Sequence, residues 1–179
     1  QFASAFELLK IKYPLKTKFK NLNFSHKYLK LSQVLVEKCI AHDEASVTVD
    51  FSSLGYFIAY ALIRQSILIK NVLEVDHLQA DSYFITLLDQ LKLRYEFKKE
   101  GLFIEKAKRI PSFTLDSSLC IDLAPTLMFL AAFSSGECHF KNLQFLKDKE
   151  CDRLKEMMSI LSFFNVKYDY SLENFSMVI

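Results

Sequence analysis

Hydrophobic and polar positions follow two different periods along this chain. Apolar residues recur at every third or fourth position in three segments, which predicts amphipathic helices. These segments are residues 26–40, 79–93 and 149–164. Three further segments are apolar at most positions and predict buried helices, at residues 2–9, 53–63 and 123–133.

Short segments with a period of two predict strands. Three of them run up to a Lys-Asn pair, at residues 15–20, 66–70 and 137–141. Two predicted hairpins follow later, one formed by residues 94–97 and 102–105 and the other by residues 166–170 and 175–179. Two short opening strands are predicted at residues 47–49 and 112–115.

The Lys-Asn pairs mark an internal repeat. The distance from Asn71 to Asn142 is 71 residues, and so is the distance from Asp81 to Asp152. The matched order of elements predicts a repeated βαβαββ unit and therefore an α/β (α+β) fold. We expect one unit at residues 47–110, one at residues 111–179 and a partial unit at residues 1–46, whose closing hairpin is shortened.

Composition limits the class of protein without defining a partner. Of the 179 residues, 51% are hydrophobic, so the chain can form a core, and the net charge of +2 implies no particular partner. No apolar run reaches the roughly 18–20 residues that cross a membrane. Only three glycines are present, which excludes the glycine-rich loops that bind nucleotide phosphates. Because the chain does not begin with Met, we expect further residues before it.

The four cysteines have no metal-binding spacing. Cys39, Cys120, Cys138 and Cys151 are separated by 81, 18 and 13 residues. Thiols that far apart in sequence are simplest to interpret as unpaired cysteines in a reducing cytosol. We therefore expect a cytoplasmic protein.

One cluster of charged residues suggests an anion site. Lys149 and Arg153 are four positions apart, and Glu150 precedes Arg153 by three. The pattern is typical of a surface salt bridge worth under about 1 kcal/mol. The alternative is a cationic pair that binds an anion, with the glutamate holding it in position or moving a proton. Asp122 precedes an apolar helix and either caps it or joins this site.

Other polar groups allow two interpretations as well. Ser52 with Ser53, and Ser25 with Tyr28, stand at predicted helix starts, where they either cap the helix or help to bind an anion. A run of lysines without acidic residues indicates either a solvated strand edge or a nucleic-acid contact. These lysines are Lys10, Lys12, Lys16, Lys18, Lys20, Lys27 and Lys30.

Five segments, in order, resemble EPSP synthases (3-phosphoshikimate 1-carboxyvinyltransferases), which are enolpyruvyl transferases. The longest is IDLAPTLMFLAAFSSGECHFKNLQFLKDKECDRLKEM, which ends in the KE.DR pattern of that family. The others are QFASAFELL, SHKYLKLSQVLV, DFSSLGYFIAYALI and LQADSYFITLLDQL. The resemblance implies six βαβαββ units in two globular domains, of the inside-out α/β barrel type. Residues 1–46 would belong to one globular domain and residues 47–179 to the other.

The resemblance also implies a reaction and its residues. The family transfers the enolpyruvyl group of phosphoenolpyruvate to the 5-hydroxyl of shikimate 3-phosphate and releases phosphate, with no metal or organic cofactor and no membrane. Asp122 matches a candidate base that contacts the shikimate hydroxyl, and Glu150 matches a glutamate that transfers a proton at the enolpyruvyl carbon. Lys149 matches a lysine that contacts both substrates, and Arg153 matches an arginine that binds phosphoenolpyruvate.

Further substrate contacts and some departures follow from the same comparison of motifs. Gln1 matches the glutamine of an SSQ motif, while Ser25 and Tyr28 match residues near the shikimate 3-phosphate. Phe145 stands where the family usually has Asn or His, and Ile121 replaces a proline. The chain begins inside the SSQ motif and ends before the downstream His-Arg motif, so we expect an incomplete enzyme whose partner is the remainder of the enzyme.

Two alternatives remain open at this point. A non-catalytic, truncated relative that acts as a binding or scaffolding module would also fit the departures from the family pattern. RNA binding through the lysine run is weaker, since it rests on an architectural analogy to RNA 3′-phosphate cyclases.

Overall fold

The computed structural model describes residues 2–16, 18–20, 26–42 and 48–179. The helices are α1 (Phe2–Leu9), α2 (His26–His42), α3 (Phe51–Ile63), α4 (Tyr83–Gln90), α5 (Ala124–Ala131) and α6 (Arg153–Phe163). The strands are β1 (Ile67–Lys70), β2 (Tyr95–Lys98), β3 (Gly101–Ile104), β4 (Thr114–Asp116), β5 (His139–Lys141), β6 (Asp169–Ser171) and β7 (Ser176–Val178). None of these helices is long and apolar enough to cross a membrane.

The two sheets repeat the same strand order. The first sheet has the order β1-β3-β2 and is antiparallel throughout. The second has the order β4-β5-β7-β6, with β4 parallel to β5 and the remaining pairs antiparallel. Strands β5, β6 and β7 therefore correspond to β1, β2 and β3, and residues 111–179 contain the complete predicted βαβαββ order.

Two predicted strands are wrong among the described residues. Thr48 and Val49 form no strand, because they make hydrogen bonds to side chains and not to a neighbouring strand. The Thr48 hydroxyl donates to Asp76 at 2.8 Å, and Gln79 Nε2 donates to the Val49 carbonyl at 2.8 Å. Residues 15, 16 and 18–20 are also not in a strand, so Lys16 does not lie on a strand edge. Among the described residues, no strand pairs with this segment, and an alternating pattern without a partner strand is not stable by itself.

The repeated asparagine has a local backbone cause. Asn71 follows β1 and Asn142 follows β5, and both adopt a left-handed conformation with φ of 65° and 59°. Asparagine tolerates this region better than most residues, because its short side chain forms local hydrogen bonds. The Asn142 amide donates to Asp116 Oδ1 at 2.8 Å and so connects the end of β5 to the end of β4.

A continuous core lies between the helices and the two sheets. Ile58 of α3, Leu88 of α4 and Leu127 of α5 are completely or almost completely buried. Helices α3 and α5 approach closely at Gly55, where an added Cβ would lie 2.7 Å from Leu123 Cδ1. This close approach brings the start of α3, in the first repeat, next to the start of α5, in the second.

The pKa of Asp116 predicts that the free energy of unfolding depends on pH in the acid range. Its burial opposes the effect, but hydrogen bonds from Ser118 and Asn142 hold the pKa of the Asp116 carboxyl below its usual value of 3.8. A depressed pKa contributes stability that is present above the ordinary pKa and is lost as pH falls through the lower, folded-state value. We expect Asp116→Asn to reduce the free energy of unfolding at pH 7, and this difference to shrink below about pH 4.

Urea unfolding of the wild type and of Asp116→Asn measures this difference, from pH 7 down to the lowest pH at which both proteins fold. The exposed Asp148 is the control, and Asp148→Asn is expected to leave the curve unchanged. A difference between wild type and Asp116→Asn that stays constant down to the lowest pH would contradict the assignment.

Candidate anion-binding site

A cavity of about 490 Å³ lies between the start of α3 and the segment that precedes α6. Its walls come from both repeats, because α3 belongs to the first and the charged residues belong to the second. The polar groups on its walls include Ser52, Ser53, Asp122, Lys149, Glu150 and Arg153.

Asp122 is the centre of the charged cluster. Its Oδ1 atom lies 3.0 Å from Lys149 Nζ and 2.7 Å from Arg153 NH1. Asp122 does not cap α5, because the residue at the cap position is Leu123 and no side chain accepts a hydrogen bond there. The capping interpretation of Asp122 is therefore wrong, and the carboxylate instead connects the two cations.

The residues before α6 reach this cluster from a bend and not from a helix. Helix α6 begins at Arg153 and is capped by Asp152, whose Oδ1 accepts from the Lys155 amide at 3.0 Å. The predicted helix start at residue 149 is therefore four residues too early, since an N-cap aspartate fixes the first turn. Lys149 and Arg153 approach each other through Asp122, and Glu150 makes the predicted pair with Arg153 at 2.8 Å.

The ion pairs set the protonation of the cluster. Burial alone would lower the pKa of Arg153, but hydrogen bonds to Asp122 and Glu150 raise it above its usual value. The Glu150 backbone amide, followed by the Arg153 guanidinium, lowers the pKa of the Glu150 carboxyl. Both effects favour the carboxylate form of Glu150. Lys149 and Arg153 supply N–H donors on one side of the cavity, where they suit a carboxylate or phosphate.

The start of α3 does not supply a second anion seat. Asp50 caps this helix, accepting from the amides of Ser52 at 3.2 Å and Ser53 at 3.1 Å and from the Ser53 hydroxyl at 2.6 Å. A carboxylate thus already occupies the position that an anion would take at the helix N-terminus. Asp50 is therefore the capping residue of α3, and Ser52 and Ser53 lie in the first turn that it caps.

Tyr28 contacts Asp81, which was not predicted to belong to the site. Its hydroxyl donates to Asp81 Oδ2 at 2.8 Å, and the Ser52 hydroxyl donates to the same oxygen. Asp81 is 1% exposed and lies in a 3-10 turn just before α4. Asp81 lies in the segment LQADSYFITLLDQL, which resembles the family, but no role in the site was predicted for it. Gln1 and Ser25 lie outside the described residues.

The fold is similar to those of a solved EPSP synthase and a solved enolpyruvyl transferase. A solved EPSP synthase from Acinetobacter baumannii aligns with a TM-score of 0.60 at 20% identity, over 74% of this chain and 32% of that chain. The enolpyruvyl transferase NikO from Streptomyces tendae aligns with a TM-score of 0.51 at 11% identity, over 75% of this chain and 30% of that chain. These matches confirm the fold class.

Sequence comparison narrows the class to one family. The family model for EPSP synthase (3-phosphoshikimate 1-carboxyvinyltransferase) matches residues 33–176, and the chain belongs to this family. A 3-phosphoshikimate 1-carboxyvinyltransferase from Syntrophobacter fumaroxidans is 31% identical over 116 residues, which are 65% of this chain and 27% of the relative. Another from Buchnera aphidicola is 30% identical over 139 residues, which are 78% of this chain and 31% of the relative. The chain thus spans about a third or less of the length of these curated relatives.

Proposed function

We propose that this chain forms part of the active site of an EPSP synthase in the shikimate pathway of aromatic amino-acid biosynthesis. The reaction would transfer the enolpyruvyl group of phosphoenolpyruvate to the 5-hydroxyl of shikimate 3-phosphate and release phosphate. The observation that carries this proposal is the convergence of Lys149 and Arg153 on Asp122 in one cavity of a family member. The remainder of the enzyme would be its partner, and the cytosol its compartment.

The charges of the cavity suit this chemistry. Both substrates are anions, so their approach is repulsive unless fixed cations offset it. In the proposal, Lys149 contacts both substrates and Arg153 binds phosphoenolpyruvate. Asp122 is the candidate base toward the shikimate hydroxyl, and Glu150 moves a proton at the enolpyruvyl carbon. Because the pKa of Glu150 is lowered, it must first take up a proton before it can donate one.

The wider assignment concerns the residues that hold shikimate 3-phosphate. Gln1, Ser25 and Tyr28 are proposed as substrate contacts by their motifs. The Tyr28 hydroxyl already donates to Asp81, so it would offer its oxygen to a ligand as an acceptor. In this proposal residues 1–46 belong to one globular domain and residues 47–179 to the other.

Calorimetric titration of shikimate 3-phosphate into the purified chain tests the proposal. We expect saturable binding that weakens when Lys149 is replaced by alanine, because one of the two cations is lost. Lys155→Ala is the matched control, since this exposed lysine lies on α6 and its amide only completes the helix cap. Binding that ignores Lys149, or no binding by the wild-type chain, would count against the proposed function.

A further inference from the structure

Asp81 is a buried carboxylate for which the proposed reaction has no role. It is 1% exposed, and two hydroxyl groups from different helices donate to its Oδ2 atom. One is the hydroxyl of Tyr28 in α2, at 2.8 Å, and the other is that of Ser52 in α3. Hydrogen bonds to a charged acceptor are about twice as strong as those between neutral groups, so both hydroxyl hydrogens are directed to Asp81.

This arrangement determines whether the Ser52 hydroxyl can donate or accept a hydrogen bond with a ligand. Serine has one hydroxyl hydrogen and two acceptor lone pairs. The hydrogen of Ser52 is used by Asp81, while the side chain lines the cavity. Only the acceptor face of Ser52 therefore remains for a bound molecule. Ser53, on the same wall, likewise donates its hydroxyl hydrogen to Asp50 at 2.6 Å.

Lys149 and Arg153 consequently differ from Ser52 and Ser53 in the hydrogen bonds that they offer to a ligand. The α6 side presents the donors of Lys149 and Arg153 beside the carboxylates of Glu150 and Glu156. The α3 side presents the hydroxyl oxygens of Ser52 and Ser53 beside Tyr56. An anionic oxygen facing Ser52 would meet lone pairs, whereas a hydroxyl group would donate to them. The cavity thus favours a ligand that carries an anionic group at one end and a hydroxyl group at the other.

We propose that Asp81 is a positioning residue that holds the Ser52 hydroxyl as a hydrogen-bond acceptor toward the cavity and so selects hydroxylated anions over simple ones. This inference rests on the proposed function for the identity of the test ligand, shikimate 3-phosphate. The hydrogen bond from Tyr28 adds a connection to α2, which places that helix against the same carboxylate. Burial raises the pKa of Asp81, although the hydrogen bonds from Ser52 and Tyr28 act in the opposite direction.

A double-mutant cycle tests whether Asp81 acts through Ser52. Asp81→Leu keeps a similar shape but cannot accept a hydrogen bond, and Ser52→Ala removes the hydroxyl. Each single variant is expected to bind shikimate 3-phosphate about tenfold more weakly, since about one hydrogen bond is lost. The double variant is expected to lose about tenfold as well, and not a hundredfold, because both changes remove the same contact. Inorganic phosphate should bind all four proteins within about twofold of one another, because it contacts the cationic wall.

A matched control separates the proposed effect of Asp81 on Ser52 from a general loss of structure when a buried aspartate is replaced. Asp116→Leu removes another aspartate that accepts a serine hydroxyl, from Ser118 at 2.6 Å, but outside this cavity. It is expected to leave both affinities unchanged. The inference is overturned if Asp81→Leu weakens shikimate 3-phosphate equally with and without the Ser52 hydroxyl, or if it weakens inorganic phosphate to the same extent.

A ligand-free measurement keeps this inference separate from the proposed function. In the wild-type chain, proton NMR should detect a Ser52 hydroxyl signal that exchanges slowly with water and is absent in Ser52→Ala. If that signal is present but shikimate 3-phosphate does not bind, the proposed function fails and the positioning role of Asp81 stands. If the signal is missing, the positioning role fails, whether or not Asp81→Leu folds.

Discussion

Replacing Lys149 and Arg153 together with glutamine is expected to weaken the binding of phosphoenolpyruvate, the substrate that both residues are proposed to contact, by about a hundredfold. Each cation contributes about 1.5 kcal/mol through charge-assisted hydrogen bonds, and two such losses correspond to this change in affinity. A second effect has the same sign. Both cations contact Asp122 Oδ1, at 3.0 Å and 2.7 Å, so their removal leaves an uncompensated carboxylate in the cavity. That negative charge then repels the ligand.

Calorimetry on a small set of variants separates the two effects. Adding Asp122→Asn to the double variant removes the repulsion and is expected to restore part of the affinity. Arg153→Lys keeps the charge but loses the fork of donors that reaches Asp122 and Glu150, so an intermediate loss is expected. If the double variant bound as tightly as the wild type, the cavity would not be the anion site.

Replacing Gly101 with alanine is expected to cost about 4 kcal/mol of stability or to prevent folding. Gly101 has a φ of 152°, a conformation that other residues rarely adopt. An added Cβ would lie 2.1 Å from the Ile69 carbonyl oxygen and 2.8 Å from Lys70 Cα, and neither backbone atom can turn away. Relief would require β1 and β3 to separate where Lys70 pairs with Gly101.

Gly136 provides the matched control for this substitution. An added Cβ there would approach no atom closer than Ser112 Cβ, at 3.4 Å, which is an ordinary contact. Urea unfolding should therefore show a much smaller change for Gly136→Ala than for Gly101→Ala. Equal losses at both positions would mean that the close approach to β1 is not the cause.

The repeat made much of the fold predictable from sequence. Asn71 and Asn142 follow corresponding strands in the same left-handed conformation, so the 71-residue spacing reflects a shared backbone requirement. The strand predicted for residues 47–49 is wrong at Thr48 and Val49, the two described residues, because side chains of Asp76 and Gln79 bind there. Such contacts join residues about 30 positions apart, and a local pattern of apolar and polar residues carries no information about them.

The sequence indicated which charged residues form the candidate site, but it did not indicate how their side chains are arranged. Asp122, Lys149 and Arg153 stood out as charged groups near helix starts, but local rules left open a cap that Asp122 does not form. Asp81 marks the repeat and lies in a segment that resembles the family, but it was not predicted as a site residue. Its contact with Tyr28 spans 53 positions, so only the folded chain brings them together.

The position of the cavity between the repeats makes ligand binding and folding interdependent. Ser52 belongs to the repeat at residues 47–110, whereas Asp122 and Lys149 belong to the repeat at residues 111–179. A ligand that contacts both walls binds only when the two units are packed together. Its binding free energy therefore stabilises the interface between them. Neither half of the duplicated sequence would form this cavity alone, and saturating ligand should make the two halves unfold as one cooperative unit.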